Sequence, residues 1–349
     1  MATTMHDVAQ LAGVSIKTVS NVVNGYPYIR DTTRDRVLAA ITELDYQMNV
    51  SARNLRSGRT GMICLAVPEL SLPYFAELAD SVIRAADAVG LTVLIEQTGA
   101  TRERELEVLS GKRKHLTDGV IFSPLDLGPQ DRAAFDVDFP VVLLGERVFD
   151  VGHDHVTMHN VEAARAATAH LIAQGRRRIA LIGAHVGEDV GSAVLRTQGY
   201  LKALEDAGIA ADPALVGEAG LWHRADGAEA MHRLLDSGTE IDAVFGLNDA
   251  LALGAMHALH MRRVSVPDEV AVIGFDDIDE ARYASPPMTS VSPGREEIAT
   301  TAVRLLQARI AARGSDDWTP TSVVAGFEIV VRESTGTSGS GSEQRSGGL

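Results

Sequence analysis

A short stretch near the N-terminus carries polar side chains at a spacing that suits contact with DNA. The valines between residues 14 and 23 repeat at helical intervals, so one face of a predicted helix turns towards a core. The opposite face is left with Ile16, Lys17, Ser20 and Asn21. A packed face opposite a polar, exposed one is the arrangement that a helix entering the major groove needs.

The residues before this helix complete a helix-turn-helix pattern. Val8, Ala9 and Ala12 form the apolar face of a first short helix, and Gly13 then breaks it. Ser15 is a good N-cap for the second helix. A helix-turn-helix lays its second helix in the major groove of DNA, but an ordinary pair of helices in a larger core fits the same pattern.

Two other groups of residues raise the question of a different chemistry. The first consists of His153, Asp154, His155 and His159. Their spacing fits no strong zinc pattern, and histidines in a polar loop are usually solvated. The second is Asp276-Asp277, but adjacent carboxylates rarely converge on one bond, and no nucleophile motif or phosphate-binding loop accompanies them. We therefore expect no metal site, no cofactor and no enzymatic activity.

Composition and charge distribution indicate a soluble protein with two unlike parts. The 349 residues are 45% hydrophobic and 23% charged, without an apolar run of transmembrane length or the apolar core of a signal peptide. The single cysteine, Cys64, lies in an apolar run and predicts a buried strand thiol in a reducing cytosol. Residues 1–60 carry a net charge of +2, whereas the remainder carries −17. We expect a nucleic-acid-binding head on an acidic body, located in the cytoplasm and associated with the nucleoid.

The order of predicted elements supports this division. A third helix is predicted at Thr33–Leu44, capped by Asp31 or Thr32, with Val37, Leu38, Ile41 and Leu44 on its inner face. Asn49–Ser57 is polar and resembles a plain linker. From Gly61 onwards, apolar runs suited to buried parallel strands alternate with amphipathic helices, which predicts two doubly wound α/β lobes. A last strand is predicted at Ser322–Val331, before a Ser/Gly-rich tail.

Several separated motifs together resemble the LacI/GalR, or lactose-repressor type, family of bacterial transcription regulators. They are DVAQLAGVSIKTVSNVVNG, Asn49 through Gly58, DGVIFSP, the Arg196/Gly199-Tyr200 step, NDALALGA, VPDEVAVIGFDD, PPMTSV and VRES. The resemblance covers residues 5–335. It implies an all-α helix-turn-helix headpiece and a two-lobed body like a type I periplasmic binding protein.

The resemblance also implies domain boundaries. The headpiece would span residues 1–47 and a hinge helix or linker residues 48–59. The effector-binding domain would span residues 60–333, with an N-lobe at about 60–160 and 290–318 and a C-lobe at about 161–289 and 319–333. Residues 334–349 would form a disordered tail. Because this tail lacks a leucine heptad, a homodimer is expected rather than a tetramer.

In the family, the headpiece and hinge bind operator DNA. Matching positions imply that Ile16, Lys17 and Asn21 read bases, and that phosphates are contacted by Ser15, Thr18, Ser20, Asn24 and Tyr28. The hinge becomes helical on the operator, where Leu55 would wedge into the minor groove and Ala52 would contact the partner hinge. Two hinges must meet, so the resemblance implies a dimer on a near-palindromic site.

In the family, the body binds a small effector between its lobes. Matching positions imply a pocket formed by Tyr74, Phe75, Arg196, Trp222, Asn248 and Asp276. Without the resemblance, these residues read as core, surface or loop-capping side chains. A sugar is the expected effector, with no membrane partner; the alternatives are a purine or other corepressor, or a small-molecule-binding protein without a DNA role. Two departures from the family are His159, where an aspartate is common, and Glu146, near which an aspartate is common.

The predicted wedge gives a first test. We expect Leu55→Ala to weaken specific operator binding strongly, because an inserted apolar side chain stabilises the kinked DNA. Effector affinity, measured by calorimetry, should be unchanged because the hinge and the pocket are separate sites. An equal loss of both affinities would contradict that separation.

Overall fold

A computed structural model describes residues 3–23, 26–46, 59–112, 115–185, 187–313 and 318–336. The chain divides into two compact units, and the boundary in the sequence falls between Thr60 and Gly61. Within the described residues, every helix is too short or too polar to span a bilayer.

The N-terminal unit is a small bundle of three helices, α1 (Met5–Ala12), α2 (Ile16–Val23) and α3 (Asp31–Glu43). Gly13 ends α1 in a left-handed conformation with φ 63°, which glycine adopts without strain. Ser15 caps α2, because its Oγ accepts a hydrogen bond from the Thr18 backbone N–H at 3.1 Å. The buried core is formed by Val8, Ala9, Ala12, Val19, Val22, Val37 and Ala40. The predicted helix-turn-helix is therefore confirmed.

Helix α3 differs from its prediction at both its start and its inner face. It begins at Asp31, after Arg30, and no side chain caps it, so neither Asp31 nor Thr32 is the N-cap. Leu38 is 48% exposed and does not join the core. The predicted Val37, Ile41 and Leu44 do face the core, and Ala40 takes the place of Leu38, because adjacent residues of a helix point in different directions.

The second unit contains two lobes, each built on a six-stranded sheet. In chain order the elements are β1 (Met62–Val67), α4 (Pro73–Asp87), β2 (Thr92–Gln97), α5 (Arg102–Leu109), β3 (Val120–Phe122), β4 (Val141–Leu144), β5 (Asp154–Met158), α6 (Asn160–Ala173), β6 (Ile179–Ala184), α7 (Ser192–Asp206), β7 (Val216–Glu218), α8 (Arg224–Asp236), β8 (Ala243–Gly246), α9 (Asp249–Met261), β9 (Ala271–Phe275), α10 (Asp279–Tyr283), β10 (Thr289–Ser292), α11 (Arg295–Ala311), β11 (Ser322–Ala325) and β12 (Glu328–Val330). The first lobe has the strand order β11-β5-β4-β3-β1-β2 and the second has β12-β10-β9-β8-β6-β7. All neighbouring strands are parallel except β10 and β12.

Strand β1 illustrates why the strands read as continuous apolar runs. Ile63, Leu65 and Val67 pack into the core on one face of the first sheet. Cys64 and Ala66 pack into a separate core on the other face, so the cysteine is a buried strand thiol as predicted. Helices cover both faces of a parallel sheet, and alternation between apolar and polar residues therefore disappears.

The chain crosses between the lobes three times, and the later crossings differ from the predicted lobe boundaries. Strand β10 belongs to the second sheet through Ser292, and β11 belongs to the first sheet rather than the second. The single predicted strand Ser322–Val331 is in fact two strands, which pair in different sheets. Gly326 and Phe327 form the crossing between them. Pairing partners lie far away in sequence, so the apolar pattern alone could not reveal this break.

The end of the second lobe also extends beyond its predicted limit. Ser334 and Thr335 lie in a short 3₁₀ helix and are buried, although they were predicted to begin a disordered tail. The Ser334 hydroxyl donates to the Val272 carbonyl at 2.6 Å and accepts from the Thr289 N–H at 2.8 Å. These bonds tie the closing residues to the second sheet. Residues 337–349 of the predicted tail lie outside the described residues.

Helices α8 and α9 approach each other closely at two glycines. A Cβ atom on Gly254 would lie 2.0 Å from the Arg224 carbonyl oxygen, and one on Gly227 would lie 2.2 Å from the Leu251 oxygen. We expect Gly254→Ala to destabilise the protein by about 1–3 kcal/mol, because overpacking against backbone outweighs the better helix propensity of alanine. Thermal unfolding would measure the loss. Gly220→Ala, where a Cβ meets nothing within 4 Å, is the matched control and should be nearly neutral.

Candidate functional site

The outer face of α2 carries the residues that were predicted to read bases. Ile16 is 47% exposed although it is apolar, and Lys17 is also exposed. Asn21 is half-buried, and its backbone carbonyl accepts a hydrogen bond from the Tyr26 N–H at 2.9 Å. An exposed apolar side chain beside a lysine on one helix face is suited to contact with base edges, where thymine methyl groups and acceptors lie side by side.

The residues predicted to contact phosphates divide into three groups. Ser15 and Thr18 form the N-cap of α2, where their hydroxyl oxygens lie 2.9 Å apart, and Ser20 is half-buried on the same helix. Tyr28 is 84% exposed and packs edge-on against Tyr26, with ring centroids 5.6 Å apart. Tyr26 was not among the predicted residues, although the Tyr-Pro-Tyr spacing places it next to Tyr28. Asn24, Ala52 and Leu55 lie outside the described residues.

A cavity of about 270 Å³ lies between the two lobes, next to the carboxyl ends of their strands. This is where open α/β sheets bind ligands. The structure brings all six predicted pocket residues into its wall: Tyr74, Phe75, Arg196, Trp222, Asn248 and Asp276. The cavity therefore unites residues that are separated by about two hundred positions in the sequence.

Arg196 is a buried cation whose position is fixed by the protein itself. Its Nε donates to Asn160 Oδ1 at 2.8 Å, and its Nη1 donates to the Leu247 carbonyl. The guanidinium carbon lies 3.5 Å from the centroid of the Phe275 ring, close enough for a cation–π contact. Burial lowers the pKa of Arg196, and the carboxylate of Asp276 opposes this shift. The arginine is thus held as a rigid part of the cavity wall.

Asp276 faces Arg196 without forming a tight ion pair. Its Oδ1 lies 3.8 Å from Arg196 Nη1, and the residue is 5% exposed. Burial raises the pKa of Asp276 to about 7, and the positive charge of Arg196 only partly offsets this effect. Within the described part of the chain, no hydrogen-bond donor of the protein reaches the Asp276 carboxylate. Its oxygens are therefore available to the hydroxyl or N–H groups of a ligand.

Trp222 and Asn248 form one connected part of the wall. Trp222 adopts φ 62°, and its indole Nε1 donates to the Gly183 carbonyl at 2.9 Å. Asn248 Nδ2 donates to the Trp222 carbonyl at 3.1 Å, while Oδ1 caps α9 by accepting from the Leu251 N–H at 2.8 Å. Each polar atom of the Asn248 amide already has a partner in the chain. Because an amide NH₂ group has two N–H donors, Asn248 can position Trp222 and still donate to a ligand as predicted.

Tyr74 and Phe75 contribute the aromatic surface of the first lobe. Their rings pack edge-to-face, with centroids 5.2 Å apart, at the start of α4. Burial raises the pKa of the Tyr74 hydroxyl, and the nearby carboxylates of Asp276 and Glu146 add to the shift. The hydroxyl is therefore neutral and able to donate as well as accept.

Residues that were not predicted from the sequence bridge the two lobes at the cavity. Glu146 Oε2 accepts a hydrogen bond from the Ser192 hydroxyl at 2.8 Å across the cleft. Arg147 Nη1 lies 3.1 Å from Glu188 Oε2 of the opposite lobe. The unusual Glu146 was noted as a departure from the family, which was the one signal available. Their partners could not be predicted, because the contacts join residues from different lobes.

A further contact joins the lobes at the same cavity. His223 Nε2 of the second lobe lies 3.0 Å from Glu69 Oε2 of the first. Both residues are half-buried. Three pairs of side chains thus join the lobes at the edge of the cavity, and all of their residues except His223 line it.

The histidines that raised the question of a metal site, His153, His155 and His159, contact backbone carbonyls and a glutamate. His153 Nε2 lies 2.6 Å from the Phe135 carbonyl, and His155 Nε2 lies 2.6 Å from the Gly145 carbonyl. Burial lowers the pKa of both imidazoles. His159 lies apart, 3.8 Å from Glu162. Among the residues that the structure describes, no group of three side chains is arranged to hold a metal ion.

The raised pKa of Asp276 predicts a dependence of stability on pH. Between the unfolded value of 3.8 and the folded value of about 7, the folded state binds more protons. The contribution of this residue to stability therefore falls as pH rises, by up to about 1.4 kcal/mol per pH unit. We expect the melting temperature of Asp276→Asn to rise relative to the unaltered protein between pH 5 and pH 8. A constant difference across this interval would show that Asp276 has no raised pKa.

Comparison with known proteins gives the same division of the chain. Residues 4–49 match the profile described as bacterial regulatory proteins of the lacI family, and residues 168–335 match a periplasmic binding protein-like domain. The HTH-type transcriptional repressor PurR of Histophilus somni (strain 2336) is 32% identical over 338 residues, covering 96% of this chain and 99% of the relative. The ribose operon repressor of Halalkalibacterium halodurans is 33% identical over 336 residues, covering 95% and 97%.

Solved structures agree with these relatives. The lac repressor dimer bound to operator and the anti-inducer ONPF superposes with a TM-score of 0.80 at 25% identity, covering 97% of this chain and 100% of that one. A complex of the transcriptional regulator CelR with cellobiose gives a TM-score of 0.69 at 32% identity, covering 95% and 99%. The similarity extends over both the headpiece and the body. The chain therefore belongs to the LacI family of bacterial regulatory proteins and is a DNA-binding transcription regulator, not an enzyme.

Proposed function

We propose that this protein is a dimeric repressor whose affinity for its operator is set by a small, uncharged sugar bound between the lobes. The observation that carries the sugar assignment is the pair of buried carboxylates in the cavity wall. Asp276 comes from the second lobe and Glu146 from the first, and both are 5% exposed. An ionised carboxylate accepts hydrogen bonds and a protonated one also donates, and a sugar supplies a hydroxyl that can do both on almost every carbon.

The size and surroundings of the cavity support a monosaccharide. Its volume of about 270 Å³ lies just below the roughly 300–1,000 Å³ of pockets for drug-sized ligands. Tyr74, Phe75 and Trp222 provide apolar ring surface, on which the C–H face of a sugar ring packs. Arg196 and Asp276 stand beside each other and would bond neighbouring hydroxyl groups in a fixed geometry.

A bound effector would act by shifting the balance between two arrangements of the lobes. Glu146–Ser192, Arg147–Glu188 and Glu69–His223 join the lobes around the cavity. A ligand that contacts both Asp276 and Glu146 adds attraction across the same gap, so it favours the closed arrangement. We infer that this closure changes the distance between the two hinge segments of a dimer, and with it the stability of the hinge helices on DNA.

The operator would be bound by the face of α2 together with the hinge. We propose base contacts for Ile16, Lys17 and Asn21, phosphate contacts for Ser15, Thr18, Ser20, Asn24 and Tyr28, and the minor-groove contact for Leu55 with Ala52 beside it. Tyr283 of the second lobe is 75% exposed and lies on the same short helix as Glu280, which forms an ion pair with Arg224. Such an exposed aromatic side chain is suited to burial against a second copy of the chain.

The experiment that tests this function is a mobility-shift titration of the purified protein on its own promoter region at fixed salt concentration. Ribose, glucose, cellobiose and hypoxanthine are added singly. We expect a monosaccharide to release a specific complex. A complex that forms only with hypoxanthine would replace the sugar by a purine corepressor. A protein that shows no specific complex under any of these conditions would contradict the proposed repression.

Substitution of Asp276 tests whether the response to the sugar arises in the cavity. Asp276→Ala should abolish the effect of the sugar while leaving operator affinity without sugar within about twofold, because the carboxylate is remote from the DNA-binding face in the chain. Asp236→Ala is the matched control, since Asp236 forms an exposed ion pair with Arg262 and lines no part of the cavity. A normal response in Asp276→Ala would remove this residue from the effector site.

A further inference from the structure

The turn that carries Asp276 has an unfavourable backbone conformation. Asp276 adopts φ 114° and Asp277 adopts φ 49°, so two successive residues with side chains have positive φ. Only glycine enters this region readily, and such conformations persist where the surroundings over-determine them. The carboxylate of Asp276 points into the cavity from this turn. Something in the second lobe must therefore hold the turn in place.

Three successive backbone N–H groups of the turn are each fixed by a hydrogen bond. The Asp276 N–H donates to the Val291 carbonyl at 2.8 Å. The Asp277 N–H donates to the Ser290 hydroxyl oxygen at 3.0 Å, and the Ile278 N–H donates to Asp249 Oδ2 at 2.9 Å. Two of the three acceptors are side chains, so a substitution of Ser290 or Asp249 removes an acceptor without removing the backbone hydrogen bonds between the strands.

Asp249 controls both of these side-chain anchors. Its Oδ2 accepts from Ile278 directly, and its Oδ1 accepts from the Ser290 hydroxyl at 2.6 Å. This second bond directs the hydroxyl proton of Ser290 towards Asp249 and leaves a lone pair for the Asp277 N–H. The carboxylate of Asp249 thus holds one end of the turn itself and the middle of the turn through Ser290.

The surrounding fold leaves space for the side chain of Asp249. Asp249 is 0% exposed at the start of α9, and burial together with the nearby carboxyl groups of Asp276 and Asp277 raises its pKa well above the usual value. Gly274 lies opposite Ser290 in the paired strands, and a Cβ atom there would be 2.0 Å from Asp249 Oδ1. Burying a carboxyl group is unfavourable unless its oxygens are satisfied, and no cation forms an ion pair with Asp249 in the part of the chain that the structure describes. Its two oxygens are satisfied instead by the Ile278 N–H and the Ser290 hydroxyl, both of which belong to the support of the turn.

We propose that Asp249, acting with Ser290, is a positioning residue that holds the turn in which Asp276 is presented to the effector. The proposal rests on the proposed function, since it concerns the site where the effector binds. Alanine at this position would remove both acceptors. An asparagine could keep the turn, because its Oδ1 would accept from the Ile278 N–H while the Ser290 hydroxyl rotates to accept from its NH₂ group.

Hydrogen exchange on the full-length protein tests the turn without any ligand. We expect Asp249→Ala and Ser290→Ala to speed exchange of the Asp277 and Ile278 amides by about tenfold or more, because each variant removes an acceptor that holds this turn. Ser334→Ala is the matched control, since its hydroxyl also bridges a buried donor and acceptor of the second sheet. Exchange that rises equally across the lobe, or equally in Ser334→Ala, would reduce Asp249 to a general contribution to stability and overturn the proposal.

The effect on binding is measured with the sugar that releases the operator complex in the mobility-shift titration. Asp249→Ala should weaken its affinity about tenfold, with operator affinity in its absence unchanged, while Ser334→Ala binds it normally. Unchanged sugar affinity in an Asp249→Ala protein with a loosened turn would overturn the positioning role. If no sugar releases the complex, the proposed function fails instead, and exchange at Asp277 and Ile278 still decides whether Asp249 holds the turn.

Discussion

The buried pair of Arg196 and Asp276 is the interaction on which the cleft depends. The two groups lie 3.8 Å apart, so each is attracted to the other without being fully satisfied. Arg196 is held by Asn160 and the Leu247 carbonyl, whereas the Asp276 carboxylate receives no donor from the described residues. A buried, incompletely paired carboxylate is unfavourable in the free protein. A ligand whose hydroxyl groups donate hydrogen bonds to this carboxylate removes the unfavourable state, which favours binding.

Holding this pair in place requires support from distant parts of the chain. The strained turn at Asp276 is fixed by Val291, Ser290 and Asp249, which come from β10 and α9. The Asp276 carbonyl also accepts a hydrogen bond from Arg295 at 3.0 Å, at the start of the helix that follows the second crossing between the lobes. The turn that carries Asp276 is thus connected to a helix that packs against the strands of the first lobe.

The order of the helices and strands could be predicted from the sequence because it follows from local patterns. Fully apolar runs such as Met62–Val67 indicate strands that are buried on both faces, and Gly13 and Ser15 mark the end of one helix and the start of the next. These signals depend on neighbours within a few residues. The six pocket residues could be named only through the family resemblance, since Trp222 or Arg196 alone has no local feature that distinguishes it from a packing residue.

Only the tertiary structure determines the contacts between residues that are far apart in the chain. The split of residues 322–331 into two strands depends on pairing with β5 in one sheet and β10 in the other. Glu146 meets Ser192 because two lobes face each other, and Asp249 meets Ser290 because Gly274 leaves space between them. The sequence determined which segments are helix or strand, since that choice is local. Packing determined which side chains share a site, since burial and pairing are set by the whole fold.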